Sequence, residues 1–261
     1  MTAFDVALRI LLALPFGLVF GSFLTVAVHR VPRGESIVHP RSRCPSCGAP
    51  IRSLDNVPLV SWVLLRGRCR ACSAPISAIY PLIELASGGL FVAVALAFDD
   101  PWTASLLAPF LALLVAISVI DLRTKKIPNR LVYPACLVAA AGIVVGDLAG
   151  SELDAIRAGI GFLAYGTGLL VVALISPRGM GMGDVKLSAL IGLVLGALGL
   201  RYVAVAAAAG VAIGGVASVI ALIAGAGRKS RIPFGPFLAT GAAIAVFAGE
   251  AIAEAYLDLL R

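Results

Sequence analysis

Charge is missing from long stretches of this chain, and that spacing constrains the fold more than any other feature. The runs 10–29, 101–120, 131–146, 158–177, 187–200, 202–227 and 232–249 contain no Asp, Glu, Lys or Arg, and 76–98 is interrupted only by Glu84. A membrane-crossing helix needs about 20 mostly apolar residues, so eight spans are expected. The 187–200 run is short, so its helix should start near Asp184 and be broken or tilted. With 60% hydrophobic and 13% charged residues, against about 25% charged in a typical soluble domain, the apolar excess has no place in a single soluble core. The expected fold class is therefore all-α: a polytopic membrane protein with about eight transmembrane helices and one small polar loop. The 28 glycines have no three-residue period, which excludes collagen, and they suit helices that pack backbone against backbone. The first run has no basic segment ahead of it and no small-x-small cleavage site before Arg30, so it reads as a retained helix and not a secretory signal.

The net charge of +7 would raise the question of nucleic acid in a soluble protein. Here its distribution has a membrane explanation, and no nucleic-acid partner is expected. Arg30 to Arg70 holds eight arginines against Glu35 and Asp55. Arg123, Lys125, Lys126 and Arg130, then Arg178 and Lys186, then Arg228, Lys229 and Arg231 fall in the following loops on that side. The other side carries Asp5 and Arg9, Asp99 and Asp100, the Asp147–Arg157 loop, Arg201, and the acidic C-terminal segment. Positive residues stay cytoplasmic, so eight spans place both termini on the side away from the cytoplasm. The expected organisation is a first transmembrane helix (1–29), a cytoplasmic loop domain (30–77) and a seven-helix bundle (78–261).

Prolines 32, 40, 45, 50, 58 and 75 punctuate the loop and disfavour long helices there. The segment is too small for a sizeable core, and metal ligation could replace one. Cys44-x-x-Cys47 and Cys69-x-x-Cys72, with 21 residues between them, have zinc-ribbon spacing. Four thiolates close a tetrahedron and leave no open position, so a structural zinc is expected. Gly48 suits the tight turn after the first pair. His39 is a possible substitute ligand, better placed facing solvent. Cys136, alone in an apolar run, reads as a small buried hydrophobe.

Three acids stand in or at the ends of apolar runs: Glu84, Asp121 and Asp184. Intramembrane carboxylates are costly and mark candidate sites; the alternative is that they simply mark helix ends. Glu84 lies deeper in its run and could pair with an arginine. Asp121 ends one run in Ile120-Asp121-Leu122-Arg123, and Asp184 opens another in Gly181-Met182-Gly183-Asp184-Val185-Lys186. The topology puts both at the same depth on the same side. Two such carboxylates can divide into a base that activates water and an acid that protonates the carbonyl. Gly181 and Gly183 remove side chains where a backbone substrate must approach. A transporter would also use broken spans, but it predicts a pattern repeated in two halves, and none is visible.

At this point a set of motifs resembles the bacterial type 4 prepilin peptidase family, which belongs to the Gly-x-Gly-Asp intramembrane aspartic proteases. They are Gly21-Ser22-Phe23-Leu24-Thr25-Val26 with Arg30-Val31-Pro32; the two cysteine pairs; Tyr80-Pro81-Leu82-Ile83-Glu84-Leu85; Asp121-Leu122 with Ile127-Pro128; Gly181-Met182-Gly183-Asp184-Val185-Lys186-Leu187; and Ile232-Pro233-Phe234-Gly235-Pro236-Phe237. The resemblance implies Asp121 and Asp184 as the catalytic pair, with Glu84, Gly181, Gly183 and Lys186 in support. It implies substrates that are type IV prepilins or type II secretion pseudopilins held beside membrane lipid. Their basic leader would be cut after glycine, and the new N-terminus methylated from S-adenosylmethionine. The resemblance also associates the 30–77 domain and the early Gly21–Val26 motif with methyl transfer; Thr25 stands in that motif where the family commonly has asparagine, and Asn129 stands where it commonly has aspartate. Without a Gly-x-Gly-x-x-Gly opening a βαβ unit, no Rossmann-type methyl-donor site is expected.

Overall fold

A computed structural model describes residues 2–39, 41–176, 180–225 and 232–259. Arg178, Arg228, Lys229 and Arg231, counted above for topology, lie outside the described residues. The helices are α1 (Ala3–Arg30), the short α2 (Val60–Leu64), α3 (Ile79–Ala97), α4 (Pro101–Thr124), α5 (Asn129–Leu148), α6 (Ala155–Ile175), α7 (Met182–Leu198), α8 (Leu200–Ile223) and α9 (Gly235–Leu259). Among the described residues there is no strand, only two isolated bridges in the polar loop. The all-α expectation holds, and the long helices fall where charge is absent.

Seven of these helices are long and apolar enough to cross a membrane. The eighth, α7, has 17 residues, about 26 Å against a hydrocarbon core of about 30 Å. It begins at Met182, close to the expected start, but it is one continuous helix and not a broken one. The break comes after it, at Gly199, whose φ of +144° turns the chain directly into α8. Eleven of its seventeen positions are buried, so α7 is sheathed by protein along its length.

The chain forms two compact units, Met1–Asp99 with Ala108–Ala116, and Asp100–Leu107 with Ile117–Arg261. In the first, α1 packs on α3 at backbone distance. A methyl group on Gly17 or Gly21 would lie 2.8 Å from the Cα of Gly88 or Glu84. At the end of this pair Arg9 binds Asp99 at 2.6 Å, joining two residues assigned by charge to the same side. In the second unit α7 packs on α6, α5, α8 and α9, and α8 packs on α9. Gly161 of α6 faces Gly192 and Gly196 of α7, where a Cβ on Gly196 would sit 2.6 Å from the Arg157 carbonyl oxygen. Close approach of this kind is how helices associate when burial from water gives no drive. Arg201 pairs with Glu250 at 2.7 Å, again joining two residues expected on one side. Cys136, expected to be buried, is half-exposed, because α5 turns this face outward.

Candidate active site and metal centre

Asp121 occupies the last turn of α4 and is only 4% exposed. Its Oδ2 accepts the Gly235 backbone N–H at 2.9 Å, at the first turn of α9. Lys125 ends α4 in the left-handed conformation, φ +53°, and its N–H returns to the Asp121 carbonyl. Asp184 stands in the first turn of α7, half-buried, where Oδ2 accepts the Gly181 N–H at 3.0 Å. This is the back-bond of a capping arrangement, and it sets the carboxylate at the positive end of the helix. Gly183, beside Asp184, meets Ile127, six residues beyond Asp121, so the two carboxylates stand at adjoining helix ends. The sequence places them far apart, in the fourth and seventh helices; the fold brings them together.

The glycines divide in role. Gly181 supplies the N–H that holds Asp184. Gly183 stands against the Ile127-Pro128 turn, where a Cβ would fall 3.0 Å from Ile127 Cβ. Lys186, one residue beyond Val185, donates to Asn129 Oδ1 at 3.0 Å and lies 5.3 Å from the centroid of the Tyr133 ring. It thereby joins the start of α7 to the start of α5. Gly235 was not singled out by sequence reasoning. A side chain there would put Cβ 2.8 Å from Asp121 Oδ2. The Phe-Gly-Pro-Phe stretch was the available signal, and nothing in its composition says which carboxylate it faces.

Glu84 belongs to the first unit. It is 8% exposed and makes no ion pair among the described residues, contrary to the arginine partner considered for it. Its Oε2 instead accepts the Leu59 N–H at 2.8 Å. Leu59 has φ +59° and sits immediately before α2, so this carboxylate ties the polar loop to α3.

The four cysteines of that loop converge. All their Sγ atoms lie within 4.8 Å of one another, and Cys44 and Cys72 are 3.8 Å apart. Four sulfurs about 2.3 Å from a shared zinc would be about 3.8 Å apart, so the donor set fits one tetrahedral ion with no vacancy. The segments holding them are a repeat: Arg-Cys-x-x-Cys-(Gly/Ser)-Ala-Pro-Ile at 43–51 and again at 68–76. Cys44 and Cys69 each donate N–H to the alanine five residues on, at 2.9 Å. The turn residues Gly48 and Ser73 have φ +72° and +59°. N–H groups of Cys47 and Ser46 directed at its sulfur push the Cys44 thiol down to about 6. The Ala74 N–H favours the Cys72 thiolate, but the crowding sulfurs of Cys47, Cys69 and Cys44 outweigh it and push Cys72 up to about 12. His39 is exposed and outside the cluster.

Comparison with known proteins covers both units. Residues 15–98 match the Bacterial Peptidase A24 N-terminal domain, and residues 108–225 match the Type IV leader peptidase family. A prepilin leader peptidase/N-methyltransferase of Burkholderia pseudomallei is 38% identical over 95% of this chain and 88% of its own. One of Bacillus subtilis is 34% identical over 94% and 96%, and one of Aeromonas hydrophila 34% over 93% and 91%. The chain belongs to the prepilin leader peptidase/N-methyltransferase family. No solved structure matches it. Both aspartates fall inside the leader-peptidase match, whereas Glu84 and all four clustered cysteines fall inside the N-terminal domain match.

Proposed function

We propose that this prepilin peptidase cuts prepilin or pseudopilin leaders with Asp121 and Asp184 as a proton-sharing pair, and then methylates the exposed α-amine. The observation that carries the reading is the pair itself: two carboxylates at adjoining ends of different helices, each held by one glycine N–H. Like charges at short range favour a state in which one carboxylate is ionised and the other protonated. The ionised one takes a proton from water as its oxygen attacks the scissile carbonyl carbon. The protonated one gives its proton to the carbonyl oxygen. Collapse of the tetrahedral diol breaks the C–N bond: the leaving amine takes the proton first removed from water, and one diol hydroxyl returns a proton to the carboxylate that had protonated the carbonyl oxygen. The Gly181 and Gly235 N–H groups hold each carboxylate oxygen in one orientation, so little reorganisation is needed at the moment of reaction.

Zinc bound by Cys44, Cys47, Cys69 and Cys72 is structural in this reading, cross-linking the two turns of a loop that has little apolar core. S-adenosylmethionine, when bound, supplies an electrophilic methyl group. The chain is an inner-membrane protein with both termini periplasmic and the aspartates at the cytoplasmic edge, where water reaches them and the prepilin helix lies among lipid. Purified Asp121→Asn, Asp184→Asn and the double variant are assayed on a synthetic prepilin for initial cleavage rate. Each acid–base group contributes about 10²–10⁴-fold, and members of a pair do not add, so all three should share one low floor. An Asp184→Asn enzyme above roughly a tenth of the parent rate, outside that range, would mean that the aspartates only cap helices.

A further inference from the structure

The short helix α2 is inverted for a helix in a water-facing loop: it buries a serine and exposes its aliphatic residues. Ser61 is buried and donates its hydroxyl to the Leu54 carbonyl at 2.9 Å. The Trp62 ring N–H donates to the Ile76 carbonyl at 3.2 Å. On the other face Val60, Val63 and Leu64 follow the i, i+3, i+4 spacing of one helical stripe and are 52%, 65% and 76% exposed. The turn Ser53–Asn56 packs on α2 and adds Leu54, with Val57 between them, both exposed. Single exposed apolar residues are ordinary, but a contiguous patch of them marks an interaction surface. We propose that residues 54–64 form an interfacial anchor, inserting this apolar face among the lipids of the membrane that α1 and α3 cross, with Arg66 and Arg68 on anionic headgroups. The inference needs only those two spans and does not depend on the aspartate chemistry.

Depth selects lipid as the occupant. The Leu59 N–H, at the start of α2, donates to Glu84 Oε2 at 2.8 Å, and Glu84 is the sixth residue of the spanning helix α3. Five residues of rise put Glu84 about 7.5 Å from the start of that helix. Helical side chains lean back toward the N-terminus, so Leu59 stands beside the first two turns of α3. Interfacial helices bury their apolar faces about 5–10 Å into the boundary between headgroups and acyl chains. From Leu59 the chain climbs outward: Trp62 reaches the Ile76 carbonyl, and the Ile76 N–H donates to the Gly67 carbonyl at 2.7 Å, ahead of the first turn of α3. The exposed stripe of α2 therefore lies in the layer where hydrocarbon gives way to headgroups. Charge along the segment fits the same layer. Its one acid, Asp55, is held on both carboxylate oxygens by Arg70, at 2.9 and 2.7 Å. Arg66 and Arg68 follow α2, are exposed and make no ion pair among the described residues. Long basic side chains there can lay their stems on apolar surface and extend their charge to lipid phosphates.

The test is photocross-linking of the full chain in liposomes of phosphatidylcholine and phosphatidylglycerol in equal parts, with a synthetic prepilin present. The photoreactive residue p-benzoylphenylalanine replaces Leu64 or Val60. Val138, exposed midway along the spanning helix α5, takes the same replacement as the control for lipid labelling. Stoichiometric zinc and a single elution peak before reconstitution certify each variant as folded. At both α2 positions the adduct read by mass spectrometry should be lipid, with phosphatidylglycerol exceeding phosphatidylcholine at least about threefold. Adding Arg66→Gln and Arg68→Gln should bring the two lipids to equal labelling at Leu64 and leave Val138 unchanged. Adducts to a second copy of the chain or to the prepilin, or no lipid adduct at Leu64 and Val60 while Val138 is labelled, overturn the anchor. Equal labelling by the two lipids with both arginines in place overturns their pairing with anionic headgroups. Neither result bears on leader cleavage, which the aspartate variants test on their own.

Discussion

Gly235→Ala tests the geometry at Asp121 more sharply than removal of the carboxylate itself. The added Cβ would lie 2.8 Å from Oδ2 and 3.3 Å from both Cβ and Cγ of Asp121. Contacts to three atoms of a short side chain cannot all be relieved by rotating its tip. The carboxylate must move by several tenths of an ångström and give up the 2.9 Å bond from the Gly235 N–H. Displacement of a reacting group by about 1 Å can cost about 10²-fold, so a loss of 30- to 100-fold in kcat is expected, about 2–2.7 kcal/mol of barrier. The substrate's contacts elsewhere are untouched, so KM should change little. Alanine is not disfavoured at the start of a helix, so folding is preserved and zinc content stays stoichiometric. The assay is initial-rate cleavage of a synthetic prepilin by purified enzyme, with methylation of a pre-cleaved peptide as the internal control. A Gly235→Ala enzyme within about threefold of the parent kcat, far from the loss expected for misplacement, would show that Asp121 is not held through this contact. Equal loss of methylation would point to general damage.

Ser73→Gly should stabilise the metal centre, because a non-glycine residue at φ +59° costs about 1 kcal/mol; zinc transfer to a chelator should slow by about fivefold, and an unchanged rate would refute the strain. The matching change Gly48→Ala should accelerate transfer by a similar factor. Lys186→Met removes the bond to Asn129 and the cation over Tyr133. A loss of about 1 kcal/mol is expected for such a half-exposed charged contact, read as a lowered thermal midpoint in detergent; no shift would mean the contact is idle. Reporter fusions at Asp99 and Asp147 should read periplasmic and one near Arg52 cytoplasmic, and a cytoplasmic signal at Asp147 would break the proposed topology.

Much of this protein is written locally. Runs without charge specify the helices, since a backbone in lipid must satisfy its own hydrogen bonds, and the Cys-x-x-Cys spacing specifies the metal turns. Gly48 also announced its left-handed turn. Its counterpart Ser73 did not, because a serine carries no such signal until the 43–51 and 68–76 segments are superposed as a repeat. Asp121 and Asp184 could be singled out because carboxylates beside apolar runs are expensive, and counting charged loops predicts equal depth for them. Depth alone leaves the lateral arrangement of the helices open. That α7 lies inside the second unit, continuous and too short to face lipid, depends on Gly161, Gly192 and Gly196 letting α6 approach to backbone contact. Likewise, Glu84 binding the Leu59 N–H in place of an arginine, Gly183 packing on Ile127, and Gly235 orienting Asp121 across 114 residues are contacts between distant segments. Periodicity and charge act along the chain, whereas these depend on which helix faces meet, and only the packed tertiary structure decides that.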